Sequence, residues 1–161
     1  MKLKTSGLAI IIVVLYFGGI FVSSLAGFWK TESSKNAGLI EIGNSIGQKD
    51  PKDIKGSFSF NDINSNFGIS AEELGKAFEI KNVESLGAFK CKDLESYYGE
   101  DIDKEIGTNS VRYFVALYKG IEFELTEETY LPEEAVNILK EKGNLTKENL
   151  DYIEKHTVNV R

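Results

Sequence analysis

The chain has 161 residues and a formal net charge of −6, with 19 Lys and Arg residues against 25 Asp and Glu residues, a length that allows one domain of ordinary size and one further element. One cysteine and one histidine exclude an internal disulfide and a zinc or iron–sulfur centre built from Cys and His side chains. Because only Lys2 and Lys4 are charged within residues 1–28, the remaining 17 basic and 25 acidic residues give the rest of the chain a net charge of −8, which disfavours binding to nucleic acids and anionic surfaces.

The first predicted element is a transmembrane helix. No charged residue occurs from Thr5 to Phe28, and the run "LAIIIVVLYFGGIFVSSLAGF" is almost wholly apolar. About 20 such residues cross the hydrocarbon core of a bilayer as a helix, whose backbone satisfies its own hydrogen bonds. The pattern therefore predicts a signal-anchor over residues 1–28, in contact with membrane lipid through residues 6–28. The small residues around Ser24-Leu25-Ala26 leave a cleaved signal peptide as the alternative, which the length of the run disfavours.

The charges around this run predict its orientation. Lys2 and Lys4 precede it, as in a signal-anchor whose amino terminus stays in the cytoplasm. We therefore predict a single-pass protein of the cell membrane with an extracytoplasmic C-terminal domain.

Residues 29–52 are predicted to form a tether. Trp29 has the position of an aromatic anchor at the membrane surface, and the residues after it are polar. The stretch "GLIEIGNSIG" could form a short helix or a strand, and Asp50-Pro51 breaks whatever precedes it. A domain of residues 53–161 follows.

The domain opens with a predicted helix-turn-helix pair, "SFNDINSNFGISAEELGKAF", over residues 59–78. Ser59 is a favourable N-cap, Gly68 a C-terminal stop, and Ser70 with Glu73 a capping box. The residues expected to face the core are Phe60, Ile63 and Phe67 in the first helix and Leu74, Ala77 and Phe78 in the second.

Four more helices are predicted, which makes the fold class mainly α. "FKCKDLESYYG" predicts one that ends at Gly99, and "TNSVRYFVALYKG" predicts one capped by Thr108 or Asn109. "YLPEEAVNILKEKG" and "LTKENLDYIEKH" predict a C-terminal helical hairpin, the second helix being capped by Thr146. The alternation in "IEFELTEETY", residues 121–130, predicts a short strand before that hairpin.

A helix-turn-helix pair raises the question of DNA binding. A recognition helix needs polar and basic side chains for base edges and phosphates. The second helix, "AEELGKAFE", carries three acidic residues and only Lys76. We therefore expect no nucleic-acid partner.

The same stretch resembles a LysM module, which binds N-acetylglucosamine polymers of cell walls. The resemblance lies in a glycine, apolar residues, an aromatic residue, Gly-Ile-Ser and a leucine-bearing helix. Against it, the spacing from Gly56 to Phe60 is one residue too long, and the closing strand is missing after Ile80. LysM-like glycan binding is therefore the alternative function.

The candidates for chemistry are few. His156 is a lone histidine. Cys91 lies between two lysines that would lower its pKa, but it is better explained as a small, partly buried side chain. Asp101–Asp103 lacks the remaining ligands of a calcium loop. We predict no catalytic residue, no metal and no cofactor. The residues proposed to contact a ligand or partner are Ser57, Asn61 and Ser70.

Residues 53–80, "DIKGSFSFNDINSNFGISAEELGKAFEI", together with "FKCKDLESYYGEDI", resemble a small helical module that follows membrane spans in NapH-like polyferredoxins and related prokaryotic membrane proteins. The shared pattern is Ile-Arg-Gly-Ser, a capped helix, Gly-Ile-Pro and a leucine-rich helix; Lys55 replaces the Arg here, and Ser70 the Pro. The resemblance covers about a third of the chain and implies an accessory domain beside membrane redox proteins. The preferred interpretation is a membrane-anchored, non-enzymatic interaction module, an accessory subunit of a membrane redox or transport complex whose partner is another membrane protein.

Overall fold

A computed structural model describes residues 35–99 and 104–160. The predicted span over residues 6–28, Trp29 and Asp101–Asp103 lie outside the described residues. Among the residues described, no helix combines the length and the apolar character needed to cross a membrane.

Six α-helices provide most of the regular structure in the described residues. They are α1 (Phe60–Phe67), α2 (Ala71–Ala77), α3 (Asp93–Tyr98), α4 (Thr108–Lys119), α5 (Glu133–Lys142) and α6 (Lys147–Lys155). Single 3₁₀ turns occur at Pro51–Asp53 and Leu86–Ala88, and the strands β1 (Leu131–Pro132) and β2 (Thr157–Val158) pair in parallel. The prediction of a mainly helical fold is confirmed.

The caps of α1 and α2 follow local chemistry. The Ser59 hydroxyl accepts a hydrogen bond from the Asp62 amide at 3.2 Å, and the Asp62 carboxylate accepts one from the Ser59 amide at 2.7 Å. Gly68 ends α1 with φ at +72°, a left-handed conformation that favours glycine. The Ser70 hydroxyl accepts from the Glu73 amide at 3.1 Å and starts α2. The predicted boundaries of this helix pair are therefore confirmed.

The third helix is shorter than predicted. The amide of Cys91 donates to the carbonyl of Phe58 and the amide of Phe60 donates to the carbonyl of Phe89, both at 2.9 Å. Residues 89–92 therefore pair with the residues before α1, and α3 begins only at Asp93. The sequence pattern missed this because the pairing joins segments about 30 residues apart.

The start of α4 also differs from the prediction. Thr108 is the first helical residue, and the capping bond runs from the Gly107 amide to the Ser110 hydroxyl at 3.2 Å. Neither Thr108 nor Asn109 is the cap. The predicted end of the helix is confirmed, because Gly120 stops it with φ at +66°.

The predicted strand over residues 121–130 is wrong, since this segment has no regular structure. The short strand lies just after it, where the Leu131 amide donates to the carbonyl of His156 at 3.0 Å. A strand needs a neighbour for its backbone groups, and that neighbour, β2, lies beyond the α5–α6 hairpin. Thr146 caps α6 as predicted, with the Asn149 amide donating to its hydroxyl at 3.2 Å.

One hydrophobic core joins all six helices. Its fully buried side chains include Phe60, Phe78, Phe114, Leu139 and Ile153. No buried side-chain nitrogen or oxygen in the described residues lacks a hydrogen-bond partner.

Residues that the sequence patterns placed in a tether also join this core. Ala37 is 2% exposed, and its amide donates to the Asn66 side chain of α1 at 2.9 Å. The Lys35 ammonium lies 2.9 Å from the Asp62 carboxylate. Residues from Lys35 onward cluster as one unit.

Candidate functional site

The three predicted contact residues occupy separate places at the surface. Ser57 is exposed in the turn before α1, and Asn61 is exposed on the first turn of α1, beside Gly87. Ser70 is half-buried and caps α2. Among the described residues no hydrogen bond joins any two of these three side chains. Ser70 has a structural role as a cap, whereas Ser57 and Asn61 remain accessible to a ligand.

Glu73 does not complete the predicted capping box. Its carboxylate instead accepts hydrogen bonds from the Lys142 ammonium at 2.6 Å and the Tyr118 hydroxyl at 3.0 Å. Both partners lie on other helices, so only the Ser70 half of the box forms within the described chain. Burial, and then the hydrogen bond to Glu73 and its charge, raise the pKa of Tyr118.

Two charged side chains of α2 form ion pairs with α5. The Lys76 ammonium lies 3.0 Å from the Glu134 carboxylate of α5, and Glu73 pairs with Lys142 at the other end of that helix. Glu72 remains exposed. The charged side of α2 therefore packs on α5, and the acidic Glu72 faces solvent. The absence of a nucleic-acid partner stays a prediction.

The aromatic residues of the LysM-like stretch point inward. Phe60 and Phe78 are fully buried, and Phe67 is 4% exposed. Sugar rings bind by stacking on accessible aromatic faces, so these three residues offer no platform for a glycan. Tyr97 on α3 is the exposed aromatic residue near this region, with 38% of its surface accessible.

Cys91 is fully buried. Burial raises the pKa of its thiol to about 12, and the charges of Lys90 and Lys92 do not prevent this because both lysines point to solvent. The predicted partial burial of Cys91 is therefore too small, since the side chain is fully buried, and the expected lowering of its pKa is wrong. A thiol in this state is a poor nucleophile and metal ligand.

His156 lies in an aromatic stack at the end of α6. Its ring is parallel to that of Tyr152 at 3.9 Å, and the ring of Tyr130 is 5.3 Å away on a tilted plane. The Nδ1 atom of His156 lies 2.9 Å from the carbonyl of Tyr152. The histidine thus caps the end of the helix and packs against two tyrosines, contacts that its description as a lone histidine missed.

A polar cleft of about 370 Å³ opens beside the N-terminal turn of α4. Arg112 lines this cleft and donates hydrogen bonds to the carbonyl of Ile54, at 2.7 Å, and to the side chain of Asn109, at 2.8 Å. Four glutamates, Glu95, Glu105, Glu127 and Glu128, also line the cleft. Asn109 also donates to Glu127. The acidic lining is suited to a basic side chain of a partner. It assembles residues that are distant in sequence, so no local pattern indicated it.

The second unforeseen surface is apolar. Residues 39–46, hereafter the apolar loop, expose Leu39 by 58%, Ile42 by 85% and Ile46 by 65%. These are three of the four large hydrophobic residues that the described chain exposes. The loop is neither the helix nor the strand considered from the sequence, but a turn closed by one bridge between Leu39 and Lys49.

Within the described residues, no group of three or more His, Cys, Asp or Glu side chains is arranged to hold a metal ion. No family model, curated protein or solved structure matches the chain. We therefore infer function from the predicted anchor and from the geometry of the helical domain.

Proposed function

We propose that the protein is a membrane-anchored, non-enzymatic interaction module. In this proposal residues 6–28 span the membrane, the helical domain is extracytoplasmic, and its partner is another membrane protein. The domain would serve as an accessory subunit of a membrane redox or transport complex. The resemblance of residues 53–80 to modules that follow membrane spans supports this setting.

The observation that carries the proposal is how soon the domain begins after the apolar run. That run ends at Phe28, and residues from Lys35 are already held on α1 by the Lys35–Asp62 ion pair and by Ala37. The link therefore has six residues, 29–34, and allows at most about 25 Å between Phe28 and Lys35 when fully extended. A tether of residues 29–52 would have reached about 80 Å. A module on so short a link meets partners near the bilayer.

The charge of the domain indicates the chemistry of that partner. The chain beyond residue 28 carries a net charge of −8, and four of its glutamates line the polar cleft together with Arg112. Opposite charges across an interface speed encounter and select the correct partner. The proposed partner therefore presents a basic surface on the same side of the membrane.

Glycan binding remains the competing function, and two observations weigh against it. The aromatic residues of the LysM-like stretch are buried, and the short link limits how far the domain extends into a cell wall. Ser57 and Asn61 are still exposed, which makes them suitable positions for testing it.

The anchor and its orientation are tested with a Ser33→Cys variant of the full chain. Because Cys91 is fully buried, an impermeant thiol reagent should label only the introduced cysteine. We expect labelling in intact, wall-stripped cells and retention of the protein in alkali-washed membranes. Protection from the reagent until the cells are opened would place the domain in the cytoplasm, and extraction by alkali would contradict the anchor.

The partner is tested by photo-crosslinking in the membrane of the native organism. A photoreactive residue replacing Glu128 at the cleft should give one discrete adduct with a membrane protein, whereas the same residue replacing the exposed Lys147 should not. Detergent-solubilised full-length protein should not be retained on purified peptidoglycan. Retention that a Ser57→Ala or Asn61→Ala change abolishes would instead support the glycan-binding alternative.

A further inference from the structure

We propose that the apolar loop inserts Leu39, Ile42 and Ile46 into the interfacial layer of the membrane, as a second contact beside the predicted transmembrane anchor. This inference rests on the proposed function, because it needs the anchor to hold the domain at a bilayer.

The loop is a defined structure that presents its apolar residues outward. The Ile40 amide donates to the carbonyl of Gln48 at 2.8 Å, and the Gly47 amide donates to the carbonyl of Ile40 at 2.9 Å. Gly43 and Gly47 adopt φ angles of +102° and +82°, which residues with a Cβ atom rarely reach. Because the turn is closed by these bonds, insertion would require little further ordering of the chain.

The base of the loop is fixed to the domain. The Lys49 ammonium donates to the carbonyl of Ala37 at 2.6 Å, and the Gly38 amide donates to the Asp53 carboxylate at 2.7 Å. The exposed side chains are therefore carried by the folded domain and do not belong to a free linker.

The position of the loop in the chain favours lipid as the occupant. Leu39 lies only 11 residues after Phe28, the end of the predicted span, so a fully extended chain allows at most about 40 Å between them. Isolated exposed apolar residues are ordinary, but a cluster of them marks an interaction surface. From Leu39 to Gln48, Glu41 is the only charged residue, so insertion would desolvate few charges.

Because of the anchor, even a weak interaction of the apolar loop with lipid is sufficient to hold the domain against the membrane. Once the span holds the domain at the bilayer, loop insertion is an intramolecular step at high effective concentration. Three side chains that would not bind a membrane alone can then keep the domain against its surface and limit its rotation on the link. The surface offered to the partner would thereby have a defined orientation.

The test uses the full chain in phosphatidylcholine vesicles, a neutral lipid chosen because Glu122 and Glu124 border the loop. An environment-sensitive fluorophore is attached to an Asn44→Cys variant, with the buried Cys91 left in place. We expect a blue-shifted emission that lipids with interfacial nitroxides quench and aqueous iodide does not. The same fluorophore on a Lys147→Cys variant should be quenched by iodide and not by the nitroxides.

The matched variant is Ile42→Asn combined with Ile46→Asn, both at exposed positions, with folding checked by circular dichroism. It should abolish nitroxide quenching at Asn44 while the protein still floats with the vesicles. Iodide quenching at Asn44 in the unaltered loop would overturn the inference, as would protection from both quenchers, which indicates cover by a second copy of the chain. Failure of the unaltered protein to float would contradict the proposed anchor itself.

Discussion

At the scale of single residues, Cys91 illustrates how backbone pairing overrides the charges next to a residue in sequence. The pairing of residues 89–92 with the segment before α1 directs Cys91 inward and its neighbours Lys90 and Lys92 outward. Burial then removes water from the thiol, and this dominates its ionisation.

We predict that stability falls at high pH because of this thiol. Its pKa is about 12 in the folded state, against an ordinary value near 9. The thiol therefore stays protonated to a higher pH in the folded state than in the unfolded state. Its contribution to the free energy of unfolding is complete below pH 9 and is lost as the pH rises toward 12, by about 1.4 kcal/mol per pH unit. Chemical denaturation at several pH values should show a steeper fall in the native protein than in Cys91→Ala, and the difference between the two should have this slope.

The comparison with Cys91→Ala removes the contributions of other groups, such as Tyr98, whose pKa burial also raises. Native Cys91 should also resist a thiol reagent that reacts at once with the unfolded chain. Equal reaction rates in both states would contradict the buried position.

Glu73 shows a second effect at the residue scale, the competition between a local and a distant partner. A Glu73→Gln change should lower the pKa of Tyr118, because it removes a negative charge that disfavours the phenolate. The pKa should stay above its ordinary value, since burial is the larger cause of the rise. The measurement is a spectrophotometric titration of tyrosine, taken as the difference from a Tyr118→Phe partner variant.

The exposed Glu72 provides the matched control, since Glu72→Gln removes the same charge one residue away. Its effect on Tyr118 should be small. If the two variants shift the titration equally, the Glu73–Tyr118 hydrogen bond is not the cause.

At the scale of elements, the α1–α2 pair is a structural unit of the core. Phe78 follows α2 and is fully buried, with its ring edge-on to Phe114 of α4 at 5.7 Å between centroids. Gly75 lies on the same helix against Leu86, so close that an added Cβ would approach that side chain to 2.7 Å. The helix pair is thus packed on several sides.

We predict unequal costs for two changes in this unit. Ser70→Ala should lower the free energy of unfolding by about 1 kcal/mol, because one helix N-cap is lost. Phe78→Ala should lower it by about 3–5 kcal/mol, because a large cavity opens in the core. Denaturant titration of both variants measures these values, and small, equal effects would show that the pair does not pack as described.

At the scale of the whole molecule, residues before the predicted domain boundary contribute to its stability. A fragment from Asp50 onward should be soluble and mainly helical, since the six helices of the described residues all lie within it. A fragment from Lys35 should be more stable by roughly 1–3 kcal/mol, because Ala37 is buried and the hydrogen bonds of Asn66 to residues 35 and 37 are retained. Thermal and denaturant unfolding of the two fragments measure the difference.

An Asn66→Ala change distinguishes the stabilisation due to contacts of residues 35–37 with α1 from a general effect of the longer chain. It should destabilise the longer fragment more than the shorter one, since only the longer fragment contains the partners Lys35 and Ala37. An equal cost in both would mean that these residues do not anchor the segment.

The sequence by itself determined where several helices begin and end. Ser59, Ser70 and Thr146 start their helices and Gly68 and Gly120 end theirs, because capping bonds join residues only a few positions apart. The inward faces of α1 and α2 were equally readable, since a helical period places those residues on one side. These features depend on neighbours along the chain, which the sequence shows directly.

The tertiary structure alone decided the features that depend on distant partners. Glu73 forms an ion pair with a lysine 69 positions away. The strand β1 pairs with β2, which follows two intervening helices. In the polar cleft, Arg112 donates a hydrogen bond to the carbonyl of Ile54. The apolar loop belongs to the domain because residues 35–37, just before it, pack on α1. From the sequence the same segment was predicted to be part of a tether. Such contacts join segments that are far apart in the chain. They leave no regular spacing or motif in the sequence, so the residue types alone could not predict them.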